Sequence, residues 1–296
     1  MRALPALASS VCLLLAGCSS ASTSAGGPIV VPPPPSAQAE PSPLSQPRIN
    51  LNHIHAIAPG ADGARLLLGT HSGLRRALPG GASAVPVGDA TLKGDVLALV
   101  SAGGVLFAAG HNLGVKISRD DGASWTEASA DLAGADVHGL AADPTQSGRL
   151  YAYAVGKGLM VSEDAGAHWT HRAGEADSNY ITGMTVTADG TLLVGTPGRG
   201  VAASTDHGAT YVVVRTGTGP VYSIASSVTD AGVVLVSAES GIFLTGDGGK
   251  TWNAGATNVA VTGVAIAASD PHRFYAGAAD GTIAMSTDAG ITWKPY

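Results

Sequence analysis

An eight-residue pattern occurs five times between residues 118 and 293. Each copy reads Ser/Thr-x-Asp-x-Gly-x-x-aromatic, and the aspartates are Asp120, Asp164, Asp206, Asp247 and Asp288. Their successive spacings are 44, 42, 41 and 41 residues. A pattern that recurs at so constant an interval indicates one supersecondary unit per copy, with neighbouring units stacked to bury a common core.

Between the copies, short apolar runs such as residues 66–69 and 233–236 alternate with glycine, aspartate and serine. This pattern predicts short strands and no long helix. The spacing also places one earlier repeat, without the pattern, around residues 78–81. Aligned in this way, the innermost strands of six repeats begin near His53, Asp95, Asp136, Tyr180, Pro220 and Ala260. We therefore predict an all-β propeller over residues 49–296, with six four-stranded blades as the first choice and seven as the alternative.

The repeated pattern resembles the Asp box, or BNR repeat, of sialidases, sortilin-type receptors and photosystem II assembly factors. The resemblance covers residues 50–296 and implies that each box forms the turn between the third and fourth strands of a blade, away from the binding face. We therefore interpret the five aspartates as structural: the carboxylate closes the turn, the glycine allows its backbone conformation and the aromatic residue packs between sheets. Residues 53–58, echoed by residues 136–141, resemble the opening of exported bacterial Asp-box proteins loosely labelled glycosyl hydrolases.

The first residues resemble a lipoprotein signal. Arg2 precedes a short apolar run, and residues 15–18 read Leu-Ala-Gly-Cys, which is similar to the bacterial lipobox. We expect a signal peptide over residues 1–17, a lipid on Cys18 and a Pro/Ser/Ala-rich tether over residues 18–48. The expected location is the bacterial cell envelope, on the periplasmic side or the cell surface. Because Cys12 is the only other cysteine, we expect the mature domain to have no free thiol.

The charge balance limits the partners. The formal net charge is −6 and no basic stripe is present, which argues against nucleic acid. We expect membrane attachment through the lipid and a monomeric propeller, with another envelope protein as a further partner class. The segment 48–51 is expected to pair with the last blade as a closing strand.

Five of the nine histidines fall at corresponding places in the first three repeats. They start an innermost strand or follow a second strand, and in a propeller both places lie at one end of the central channel. His53 and His55, two residues apart, are expected to point to the same side of their strand. The sequence thus predicts a transition-metal site, with copper or zinc as the metal, formed by His53, His55, His71, His111 and His138. Asp95 and Asp136 would orient the rings or complete the coordination.

Two alternatives remain beside a metal- or ligand-binding protein. A scaffold for another envelope protein would use loop residues such as Lys157, Arg199 and Glu239. A glycosidase would need paired carboxylates, for which Asp95 and Asp136 are the candidates. The arginine triad and Tyr–Glu pair of sialidases are not recognisable, and we identify no catalytic residue. An enzyme is therefore the less favoured interpretation.

Overall fold

The computed structural model describes residues 53–60, 65–77, 79–80, 84–174, 181–196, 198, 200–255 and 260–296. The expected signal peptide, Cys18, the tether and the closing segment 48–51 lie outside these residues. Within them, the helical structure consists of a 3-10 turn at Ala90–Leu92. No helix of the described chain has the length and apolarity needed to cross a membrane.

In the described parts of the chain, twenty-four strands follow one another in six sets of four. The first three sets are β1 to β4 (Ile54–Pro59, Leu66–Thr70, Gly73–Ala77, Ala84–Pro86), β5 to β8 (Val96–Ala102, Val105–Gly110, Gly114–Ser118, Thr126–Glu127) and β9 to β12 (Val137–Ala142, Leu150–Ala154, Gly158–Ser162, Thr170–His171). The last three are β13 to β16 (Gly183–Val186, Leu192–Thr196, Gly200–Ser204, Val212–Arg215), β17 to β20 (Val221–Ser226, Val234–Ala238, Gly241–Thr245, Asn253–Gly255) and β21 to β24 (Val261–Ala267, Asp270–Ala278, Ile283–Ser286, Lys294–Pro295).

Each set forms one antiparallel sheet in which every strand pairs with the next along the chain. The first strands β1, β5, β9, β13, β17 and β21 pack against one another in order, and β21 returns to β1. The molecule is therefore a six-bladed β-propeller, which confirms the predicted fold and blade number. The predicted strand starts are also correct to within one residue, except in blade four, where β13 begins at Gly183.

The ring closes between blades six and one by packing of their innermost strands. All four strands of blade six come from residues 261–295. Across this seam the buried hydroxyl of Thr262 donates a hydrogen bond to the carbonyl of Ile54. A Cβ on Gly277 would lie 2.9 Å from the Ile54 side chain, so the two blades are in close contact.

Small residues allow the innermost strands to approach one another. At the start of each innermost strand lies a three-residue motif, Ile54–Ala56 in blade one, which we call the strand-start motif. Its third residue is small in every blade: Ala56, Ala98, Gly139, Gly183, Ser223 or Gly263. A Cβ on Gly183 would lie 3.3 Å from the Ser223 backbone, and one on Gly263 would lie 3.3 Å from the His55 backbone. The central channel between these strands is consequently narrow, and the cavity within it has a volume of about 70 Å³.

Six buried apolar clusters, one at each interface between blades, hold the described ring together. Trp125 is 2% exposed and packs with Leu74 of the preceding blade. At the seam, where blade one contributes no such tryptophan from its described residues, Tyr296 packs on Tyr275 with ring centroids 5.9 Å apart. The aromatic residues of the repeated pattern therefore lie between neighbouring sheets, as predicted.

The repeated pattern forms the same turn between the third and fourth strands of blades two to six. In blade two, Ser118 Oγ donates to Asp120 Oδ1 (2.8 Å), and the backbone N–H of Ser124 donates to the same oxygen (2.9 Å). The bonds from the Ser124 side chain and backbone hold the pKa of Asp120 near 2. The corresponding carboxylates are bonded in the same way: Asp164, Asp206, Asp247 and Asp288. These aspartates act within the turns, on what we call the turn face.

Candidate metal centre at the channel mouth

The topology brings two kinds of position together at the end of the channel opposite the turn face. There the first strand of each blade begins and the second strand ends, and we call this end the mouth. His55 lies on β1 and His138 on β9, whereas His71 directly follows β2 and His111 directly follows β6. Strands of one sheet are about 4.8 Å apart, so these side chains are within reach of one another.

A β-bulge lies at the mouth end of β1, β5, β9, β17 and β21. The pairing register skips one residue in each strand, namely His55, Leu97, His138, Tyr222 and Thr262. A bulge changes the direction of the extra side chain. The two bulged histidines therefore owe their position at the mouth to an irregularity that strand alternation does not predict.

His53 reaches the mouth for a reason different from the one predicted. It does not belong to β1, which begins at Ile54, and its backbone is left-handed with φ of 56°. Its ring nevertheless lies 4.8 Å from the ring of His55, centroid to centroid. The two side chains therefore lie on the same side as expected, through this backbone conformation and the adjacent bulge and not through regular strand alternation.

The first histidine group comprises His53, His55 and His71. His71 contacts both of the others: its Nε2 lies 3.2 Å from His53 Nδ1, and its Nδ1 lies 3.3 Å from His55 Nε2. One nitrogen from each ring can be chosen so that all three lie within 4.8 Å of one another. The group thus offers three nitrogen ligands at one place.

The second group comprises His111, Asp136 and His138, one blade further on. Asp136 Oδ1 lies 2.8 Å from His111 Nδ1 and 3.0 Å from His138 Nε2. The two rings are 4.7 Å apart and nearly perpendicular. This group therefore combines two nitrogen ligands with a carboxylate oxygen.

Asp95 lies between the two groups. Its Oδ2 is 2.9 Å from His71 Nδ1 and 3.7 Å from His111 Nε2, and its Oδ1 is 3.2 Å from His55 Nε2. Oδ1 is buried, and within the described chain it accepts no hydrogen bond of good geometry despite that short distance. The His71–Asp95 contact is also repeated one blade later by His111 and Asp136. All seven predicted site residues are therefore brought to the mouth.

Burial favours the uncharged form of several of these rings. Desolvation lowers the pKa of His55 to about 4, outweighing the carboxylate of Asp95, which acts in the opposite direction. Burial also lowers the pKa of His138, and burial together with the neighbouring His71 lowers that of His53. A neutral imidazole has a lone pair available for a metal ion, so these rings suit that role.

The blades opposite complete the mouth with hydroxyl and apolar groups. A cavity of about 370 Å³ lies between His53, His55 and His138 on one side and Thr182, Tyr222 and Thr262 on the other. Sequence analysis missed this half of the wall. The signal was available, because these three residues take the place of His55 in the strand-start motifs of blades four to six.

The remaining described histidines lie away from the mouth. His168 and His207 belong to repeated turns, where His168 Nδ1 lies 2.7 Å from Asp164 and His207 lies 3.1 Å from the Tyr151 hydroxyl. His171 is on the outer strand β12, and His272 is on β22. The predicted division between five mouth histidines and four others therefore matches their placement.

The residues of the two alternative functions are placed as follows. Lys157 Nζ donates to the carbonyl of Asp131, and Arg199 lies outside the described residues. Glu239 follows β18, the second strand of blade five, and so lies at the mouth. Two other glutamates form ion pairs near the turns, Glu127 with Lys116 and Glu163 with Arg149.

Comparisons with known proteins identify relatives of the fold only. No protein-family profile matches the sequence, and no curated protein does so either. Similar solved structures include PorZ, a surface component of the type-IX secretion system of Porphyromonas gingivalis (TM-score 0.58, 15% identity, covering 82% of this chain and 32% of PorZ). The GH74 xyloglucanase of Xanthomonas campestris gives a TM-score of 0.56 at 18% identity, covering 83% of this chain and 47% of the enzyme.

The GH74 enzyme of Niastella koreensis gives a TM-score of 0.53 at 15% identity, covering 84% of this chain and 48% of the enzyme. This chain thus spans from about a third to a half of the length of these structures. Their shared feature is the β-propeller, which hosts many unrelated functions. The function of this chain has to be argued from its own site.

Proposed function

We propose that the protein binds a divalent transition metal ion at the mouth of its propeller. The observation that carries this proposal is the mutual approach of His55 Nε2, His71 Nδ1 and the Asp95 carboxylate, with contacts between 2.9 and 3.3 Å. Metal–ligand bonds of about 2.0–2.2 Å place neighbouring ligand atoms about 3.0–3.4 Å apart. Two imidazoles and a carboxylate favour Zn²⁺ or Cu²⁺ over hard cations such as Ca²⁺.

We further propose that this binding takes place in the bacterial envelope, on a lipid-anchored protein of the Asp-box class. The lipobox-like residues 15–18 support the lipid anchor and the envelope location. The regular turns at the five aspartates support the Asp-box class. Export into the envelope would expose the mouth to metal ions outside the cytoplasm. Radiolabelled palmitate incorporated by the native chain and lost in Cys18→Ala would support the anchor, and equal labelling would contradict it.

The test of metal binding uses untagged protein stripped with a chelator and titrated calorimetrically with Zn²⁺ and with Cu²⁺. We expect binding that His71→Ala weakens at least tenfold, because this ring contacts both His53 and His55. The matched control is His272→Ala, which removes an imidazole 3.8 Å from a carboxylate away from the mouth. No heat of binding, or equal loss in both variants, would contradict the proposal.

A scaffold role is the second candidate, favoured by two exposed apolar groups at the mouth. Val155, which takes the place of His71 in blade three, is 41% exposed, and Tyr222 is 39% exposed. Such groups suit contact with another envelope protein. Crosslinking from the mouth in intact cells would test it: a partner captured equally by the native chain and His71→Ala would favour a metal-independent scaffold.

A further inference from the structure

We infer that the mouth holds two metal ions, one in each blade pair, with the carboxylate of Asp95 shared between them. This inference rests on the proposed function, which requires only one ion. The first ion would be bound by the first histidine group and Asp95, and the second by His111, Asp136 and His138.

The histidines and Asp136 form two compact groups of ligands, each with the size of one metal site. Within each group, one ligand atom per residue can be chosen so that all lie within 4.8 Å of one another, and the two groups have no member in common. A single transition-metal ion takes about four to six ligands at about 2.0–2.2 Å. One ion seated in either group would therefore leave the histidines of the other without a metal.

The two groups are built by the same structural device. In both, the histidine after the second strand of one blade contacts the aspartate before the first strand of the next: His71 with Asp95 at 2.9 Å, and His111 with Asp136 at 2.8 Å. A bulged histidine then completes each set, His55 in the first and His138 in the second. Each set thus contains a two-histidine, one-carboxylate arrangement, a ligand combination that is common around transition metals, and His53 adds a third imidazole to the first set.

Asp95 is positioned to join the sets. Its Oδ1 faces His55 at 3.2 Å, while its Oδ2 faces both His71 at 2.9 Å and His111 at 3.7 Å. Its side chain is only 15% exposed, so little water competes for these oxygens. Two neighbouring dications repel each other strongly at low dielectric, and a carboxylate between them offsets that repulsion. Asp95 thus contacts histidines from both groups.

The experiment measures stoichiometry and the distance between ions on the untagged, chelator-stripped full chain. Elemental analysis after loading with Zn²⁺ and gel filtration should give two equivalents. His55→Ala and His138→Ala should each retain one equivalent, since each removes a ligand from a different set. Loading with Cu²⁺ should give an electron paramagnetic resonance spectrum with a half-field transition, caused by two nearby Cu²⁺ ions, that disappears in both variants.

Each outcome decides a separate point. One equivalent in the native chain overturns the two-ion inference and leaves the proposed function standing, whereas zero equivalents overturns both. Two equivalents without a half-field transition overturns the sharing of Asp95. Asp95→Asn provides the second variant, because it keeps the size of the side chain and removes its charge: a bridging role predicts loss of the half-field transition with the circular dichroism spectrum unchanged.

Discussion

The two halves of the mouth use the same strand positions for different purposes. In blades one and three, the second residue of the strand-start motif is a histidine, His55 or His138. Each lies close to an aspartate, Asp95 or Asp136 respectively. In blades four and six the same position is a threonine: Thr182 donates to the carbonyl of Val221 in the next blade, and Thr262 donates to that of Ile54. Blades four and six use this position to join neighbouring blades, whereas blades one and three use it to assemble ligands.

The difference also separates structure from function in a repeat protein. The turn-face aspartates recur in five blades with the same hydrogen bonds, as expected of a feature that every blade needs to fold. The mouth histidines and their carboxylates, in contrast, come from three consecutive blades, one to three. A residue type confined to part of a symmetric ring is not required by the repeat, and its local clustering is the better indicator of a site.

The largest effect is expected when a carboxylate is removed from the histidine half. Asp95→Asn should weaken Zn²⁺ binding about 10–100-fold, the usual cost of losing a carboxylate that orients or completes a metal site. Thr182→Val, on the other half, should leave the affinity unchanged. Calorimetric titration of both variants measures the contrast, and similar weakening in the two would show that the halves are not distinct.

Acid should act on the histidine half first. The pKa of His55 is lowered to about 4. Between pH 6.5 and 4 the unfolded chain therefore binds more protons than the folded one, and the free energy of unfolding decreases as the pH is lowered. The loss in metal-free protein should be on the order of 2 kcal/mol. Urea unfolding across this range should show it, and His55→Thr, which copies the other half, should remove most of it.

The turn aspartates provide an internal reference for that measurement. Their carboxylates, with pKa values near 2 for Asp120 and Asp164, contribute stability that is present above pH 4 and lost as the pH falls toward 2. This second stage should be the same in the native chain and in His55→Thr. A variant that altered both stages equally would argue for a general loss of folding instead of a titration at the mouth.

Removing a hydroxyl from the threonine half should cost about 1 kcal/mol, the net value of one intramolecular hydrogen bond. We expect Thr262→Val and Thr182→Val to lower the free energy of unfolding by similar amounts, because both hydroxyls join neighbouring blades. Thr185→Val is a less suitable comparison, since its hydroxyl contacts the Ser226 side chain. Chemical denaturation checks the values, and a change in Zn²⁺ affinity would contradict the division into halves.

The smallest effect is expected on the turn face, which should not distinguish the halves. Ala165 in blade three and Ala289 in blade six both have left-handed backbones, with φ of 59° and 56°. Replacing either with glycine should stabilise the protein by about 0.5 kcal/mol, because glycine adopts this conformation without a steric cost. Gly248, the equivalent residue of blade five, allows the reverse test: Gly248→Ala should lose a similar amount. Unequal gains at the two alanines would show that the turns differ between blades.

Much of this architecture was predictable from spacing. The nearly constant spacing of successive pattern aspartates, from Asp120 to Asp288, predicted the blades. Alignment of the repeats then placed five histidines at one end of the channel. The grouping of those histidines was not predictable, because it depends on the bulges that redirect His55 and His138 and on the left-handed backbone of His53. Residue spacing does not encode such local irregularities of the backbone. The cavity wall formed by Thr182, Tyr222 and Thr262 could have been predicted, because these residues occupy the position of His55 in blades four to six.

The seam between blades six and one has a mechanical consequence. Blades one to six follow one another along a continuous chain, whereas at the seam the described blades are joined by packing and by the Thr262 hydrogen bond. Under a pulling force the ring should therefore part there first. The proposed ligands all lie on blades one to three, so a break between blades six and one does not separate one ligand from another. Separation of blades six and one would thus open the ring and leave the three blades that carry the proposed ligands in contact with one another.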